Sequence, residues 1–92
     1  MPYIKNEDRK NYREHLLSIQ NTWAGRNLFD IIGDFTYVIY VLGRFLVNKV
    51  GKGKYWARAL VTGAFICAVL ELYRREHAPY EDSKIKESGD IE

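Results

Sequence analysis

The sequence has few of the residues that staple or interrupt a small protein. Its one cysteine, Cys67, leaves no partner for an intrachain disulfide and no set for a Cys-based zinc site. Such sparing use of cysteine fits a reducing, cytoplasmic compartment. Only two prolines occur, Pro2 and Pro79, so 76 consecutive residues between them are free to be helical. The start, Met1-Pro2-Tyr3-Ile4-Lys5, lacks the apolar run of a secretory signal. Neither sign of charge dominates: 14 Lys plus Arg against 12 Asp plus Glu leave +2. That balance excludes a general nucleic-acid coat and a disordered acidic chain. Apolar residues at 47% and aromatics at 14% exclude disorder over most of the length. Ninety-two residues are enough for one small domain, residues 1–92.

Carboxylates are missing from one long stretch. Residues 1–34 hold five bases and five acids, but residues 35–70 hold only Arg44, Lys49, Lys52, Lys54 and Arg58. From Glu76 to Glu92, six acids outnumber two bases. The basic middle and acidic end are suited to pair with each other, within one chain or between two. An anionic ligand is the other occupant such a stretch accepts.

Periodicity predicts three helices and no strand, an all-α protein. The first begins near Asn6 or Asp8, with Glu7 and Asp8 at the positive end of its dipole. Its stripe runs Tyr12, Leu16, Ile19, Trp23, at steps of four, three and four, and Gly25 is a left-handed stop. Asp34 reads as the N-cap of a second helix over about Phe35–Val50, after a turn at Gly33. The loop Gly51-Lys52-Gly53-Lys54 leads to a third helix from Tyr55 to about His77, where Pro79 disfavours continuation at Ala78. On this reading the ordered helical part is residues 6–77, and 78–92 form a polar tail.

Helices two and three are too apolar for a small monomer. Of the twelve residues Ala59–Leu70, only Thr62 is polar, and apolar positions cover most of the second helix. A helix in a small soluble protein keeps a solvated face. A membrane span requires about 20 apolar residues, more than the twelve between Arg58 and Glu71. The sequence therefore predicts a homo-oligomeric helical bundle, a dimer or tetramer, whose subunits bury the second faces. Ala59, Gly63 and Cys67, at four-residue steps, suit a close helix crossing.

Catalytic groupings are absent from the spacing. His15 and His77 lie on different helices without a second ligand at metal spacing, so each reads as an ordinary imidazole. Cys67 stands in apolar sequence and reads as core. No serine has a nucleophile-elbow context. Gly51-Lys52-Gly53-Lys54 lacks both the glycine spacing and the Ser or Thr of a phosphate loop. The expectation is a protein that is not an enzyme and uses no metal or cofactor.

Binding chemistry is better represented. Seven tyrosines and two tryptophans are a heavy aromatic load, and Tyr12, Trp23 and Tyr37 lie on helix stripes. Tyr3 and Tyr80 instead stand beside charged residues near the ends. Arg74 and Arg75 suit the negative end of a helix dipole, but a guanidinium also grips phosphate in a planar fork. With Lys84 for a second phosphate, Tyr3 and Tyr80 for stacking, and Glu81 or Asp82 for a guanine edge, these residues form a candidate anion-and-base site.

The opening Met1-Pro2-Tyr3-Ile4-Lys5, Glu7-Asp8-Arg9, resembles a family of small uncharacterised proteins of phages and bacteria. So do Gly33-Asp34, Tyr37-Val38-Ile39, Gly63, Cys67-Ala68, Leu70-Glu71, Tyr73-Arg74-Arg75, Ala78-Pro79-Tyr80-Glu81-Asp82, Lys84-Ile85 and Gly89-Asp90. The resemblance spans nearly the whole chain and is most specific in its last third. It is poor over residues 10–32 and in the Gly-Lys loop. Leu60, Ile66 and Val69 stand where relatives are expected to carry charge, so this chain is expected to bury more of helix three than they do.

By type, the chain is also similar to phage anti-CBASS sponges, small helical homo-oligomers that sequester cyclic oligonucleotide signals of bacterial immunity. That likeness implies a viral immune-evasion protein of the host cytoplasm. It would bind a cyclic dinucleotide such as cyclic GMP-AMP without cleaving it. The competing expectation is a structural or protein-interaction module, also homo-oligomeric, with no small ligand. Neither expectation involves DNA, RNA or a membrane.

Overall fold

A computed structural model describes residues 4–91, and these are helical apart from two short connections and the ends 4–5 and 89–91. Helix α1 spans Asn6–Trp23, with Glu7 and Asp8 in its first turn. It stops where expected, as Gly25 adopts a φ of +78°, which side-chain-bearing residues rarely take. Helix α2 spans Leu28–Phe45 and runs into a π turn, Leu46–Val50. Helix α3, Tyr55–Leu72, passes through a second π turn, Tyr73–His77, into α4, Ala78–Ser88. Together the last three make one helix of 34 residues, Tyr55–Ser88.

Two boundaries differ from the sequence expectation. The second helix starts six residues before Asp34, because Asn27 is the cap: its Oδ1 accepts from the Phe29 amide at 2.8 Å. Asp30 then sits in the favourable first turn, and Gly33 lies inside the helix. An interior glycine costs about 1 kcal/mol relative to alanine, which a good cap and a run of Leu, Phe and Ile offset.

The second correction concerns residues 78–92, which are not a polar tail from Ala78 onwards: the helix continues to Ser88. Proline is poor in a helix interior because it has no N–H and its ring clashes with the carbonyl four residues back. Here the backbone widens before it. The Ala78 amide reaches the Tyr73 carbonyl, five residues back, and Pro79 falls in the first turn of α4, where proline is tolerated.

The chain divides into two compact units, residues 1–46 and 47–92. In the first, the Trp23 and Phe35 rings meet edge to face at 6.2 Å, and Arg26 pairs with Asp34 at 2.7 Å. These contacts brace the connection between α1 and α2. Tyr12 and Leu16, on the same stripe as Trp23, remain exposed.

In the second unit, the amide of Gly53 closes the connection onto the Val47 carbonyl at 2.8 Å, and the Arg58 guanidinium donates to the Gly53 carbonyl. Lys52 and Gly53 both take positive φ here. Ala57 is the one buried apolar residue among those described, at 3% exposure. Gly63 stands open: nothing lies within 4 Å of where its Cβ would be, so the close crossing expected there does not form within one chain.

Candidate functional site

The C-terminal candidate residues lie on the π turn Tyr73–His77 and on α4, and side-chain pairing organises most of them. Glu71, one turn before the arginines, accepts from both Arg74 and Arg75. The spacings are i,i+3 and i,i+4, which bring side chains together on a helix surface. A single carboxylate thus fixes two guanidiniums. Both arginine side chains remain more than half exposed, while Glu71 is largely covered.

Beyond them, Tyr73 bridges the π turn. Its hydroxyl donates to Glu81 Oε2 at 2.8 Å, across eight residues. Its ring stacks on His77, with centroids 5.6 Å apart and planes 14° from parallel. The bond to Glu81, chiefly, holds the Tyr73 phenol above its ordinary pKa of 10.0, because ionisation would set a phenolate against a carboxylate. The charge of Glu81, some desolvation and the charge of Asp82 push the same way. Tyr73 is therefore a neutral donor that ties the turn to α4.

Lys84 carries its ammonium 5.6 Å from the centre of the Tyr80 ring and also pairs with Glu87 at 3.1 Å. Tyr80 is 61% exposed. Glu81 is engaged by Tyr73. Asp82 lies on the same helix, exposed. The structure thus strings Arg74, Arg75, Tyr80, Glu81, Asp82 and Lys84 along one short helical segment. Tyr3, the other proposed stacking residue, lies outside the described residues.

Two organising residues were not among the sequence candidates. Glu71 was legible from its i,i+3 and i,i+4 spacing to the arginines. Tyr73 was not, because its contact with Glu81 depends on how the chain winds between them. A shallow depression on α1, lined by Glu14, Leu17, Ser18, Asn21 and Thr22, contains none of the candidates. Among the described residues, no three His, Cys, Asp or Glu side chains gather as a metal site.

Length does not exclude a membrane span. The Tyr55–Ser88 helix is long and apolar enough to cross a bilayer by length and composition, with a mean hydropathy of 1.4 in its most apolar window and 6% of that window buried. Arg58 and Glu71 bound the twelve-residue apolar stretch as sequence suggested, but helix continues on both sides of it.

A family model described as a domain of unknown function, DUF6899, matches residues 1–91. The chain belongs to that family. No curated protein and no solved structure matches it. Membership accords with the resemblance to an uncharacterised family and assigns no ligand.

Proposed function

We propose that this protein is a self-assembling helical module whose subunits bury their apolar helices against one another in the cytoplasm. The observation that carries the reading is exposure: Leu42, Phe45, Trp56, Leu60, Ile66, Val69, Leu70 and Leu72 all stand open in the single chain. So many large apolar side chains open on each unit, taken by itself, are surface that association can cover. Association removes it from solvent at about 25 cal/mol per Å² of apolar area. Such a module acts by contact with its partners rather than by turnover.

The test is light scattering on purified full-length protein in buffer without detergent, with vesicle flotation alongside. A dimer or larger assembly in buffer is expected. A stable monomer at micromolar concentration overturns the reading. So does a chain that stays in solution only with detergent or floats with lipid, which would make the long helix a membrane element.

A second reading gives the module a cargo. Two exposed guanidiniums fixed by one carboxylate, followed by the exposed Tyr80 ring beside Lys84, favour an anion that also carries aromatic bases. A cyclic dinucleotide has that chemistry, and stoichiometric sequestration would make the assembly a sponge in phage immune evasion. Calorimetry with cyclic GMP-AMP tests it. Arg75→Ala should weaken binding by roughly ten- to a hundredfold, the equivalent of about 1.5–3 kcal/mol for a charged hydrogen bond. Tyr80→Ala should cost about 1–3 kcal/mol of stacking. Melting should hardly change in either variant; no heat with the parent protein removes the cargo and leaves the module.

A further inference from the structure

We propose that a second copy of this chain docks antiparallel on one exposed face of the Tyr55–Ser88 helix, with the two-fold axis passing between Phe65 and Val69. The proposal rests on the self-assembly reading above and adds the face, direction and register of the contact. Arg58, Thr62, Phe65, Val69, Leu72 and Glu76 follow one another at steps of four, three, four, three and four. Through α3, from Arg58 to Leu72, such spacing keeps one seam facing a partner helix when two helices wind together; Glu76 follows within the π turn Tyr73–His77, whose wider winding sets it toward the edge of that seam. All six residues are exposed in the single chain, with Phe65 at 39%, Val69 at 65% and Leu72 at 60%. The apolar middle of the seam lies between one cation and one anion.

That charge pattern selects the direction. Parallel pairing would set Arg58 against Arg58 and Glu76 against Glu76. Antiparallel pairing sets Arg58 against Glu76 of the partner subunit, and two-fold symmetry makes the pair twice. The register follows from the positions: Arg58 and Glu76 each lie nine residues from Cys67, and Phe65 and Val69 each lie two. A pairing that matches the charges therefore also sets Phe65 against Val69 of the partner subunit, with Thr62 against the partner subunit's Leu72.

Direction can be measured with a spin label at Ser83, using Ser83→Cys in a Cys67→Ala background and electron-electron distance spectroscopy. Ser83 lies sixteen residues beyond Cys67. Two antiparallel copies therefore hold their labels roughly 45–50 Å apart, against about 10–20 Å for parallel copies. Charge reversal gives a second readout. Arg58 also donates to the Gly53 carbonyl of its own chain, so Arg58→Ala, which loses that bond without reversing charge, is the reference: against it Arg58→Glu should raise the dissociation constant of the assembly about tenfold or more, and Arg58→Glu with Glu76→Arg should return it to within about threefold of Arg58→Ala. Circular dichroism on each variant confirms that the helices remain. A self-associating protein with only the short distance, or with no restoration in the double variant, overturns the antiparallel contact and leaves self-assembly standing. A monomer in buffer overturns both.

Discussion

Tyr73 is a residue whose protonation the fold controls. Its neutral hydroxyl donates to Glu81, and this bond, above all, raises the phenol pKa over 10.0. A group with a raised folded-state pKa contributes its stability in full below its unfolded value. That contribution is lost as pH climbs through the folded value. The bond between the π turn and α4 should thus be intact at neutral pH and release only above pH 10. NMR titration of the Tyr73 ring should give a midpoint above 10 in the parent protein, falling back in Glu81→Gln, where no carboxylate opposes the phenolate. Equal midpoints in the two proteins would show that the bond does not set the ionisation. Glu71 acts at the same scale by a different route: it accepts from two arginines at once, so Glu71→Gln should loosen both guanidiniums.

Among the elements, the π turn at Tyr73–His77 is the informative one, and Pro79 explains it. Proline in a helix interior costs about 3 kcal/mol through its missing donor and ring clash. The wider turn reduces that cost by sending the Ala78 amide to Tyr73 and leaving Pro79 in the first turn of α4. Pro79→Ala should therefore stabilise the helix, by less than about 3 kcal/mol, and convert the wide turn to regular α-helix. Thermal melting by circular dichroism reads the first effect. The second changes the winding between Tyr73 and Glu81, so the Tyr73 midpoint should move with it. An unchanged or lower melting temperature would mean that the π turn does not originate in the proline.

At the scale of the whole molecule, burial is what the described residues have least of. Among them Ala57 is the one buried apolar residue, while Tyr, Trp, Phe, Leu and Val side chains line exposed helix faces. A domain of this size is hard to stabilise even with a full core, and the self-assembly proposed above would supply the missing burial. Melting should then depend on concentration, with the midpoint rising as protein is increased from low to high micromolar. Dilution should unfold or dissociate the chain at a lower temperature. A midpoint that stays constant over a hundredfold range of concentration would show that each chain is stable alone.

Much of the helical layout was legible in the sequence because helix formation is governed by local signals. The stripe Tyr12, Leu16, Ile19, Trp23, the stop at Gly25 and the start of α3 at Tyr55 are set by residues within a turn or two of each place. The same locality misled at Gly33-Asp34, where a turn-like pair is overridden by the cap at Asn27, and at Pro79, where the backbone widened rather than stopped. The candidate residues were legible as types: arginines near a helix end, a tyrosine among charges, a lysine beyond. Their pairings took three-dimensional coordinates to establish. Sequence by itself determined the helical class, the basic middle, the acidic end and the heptad spacing from Arg58 to Glu76. Only the tertiary structure decided that this seam stays uncovered and that Tyr73 reaches Glu81, since exposure and an eight-residue contact depend on how the whole chain winds.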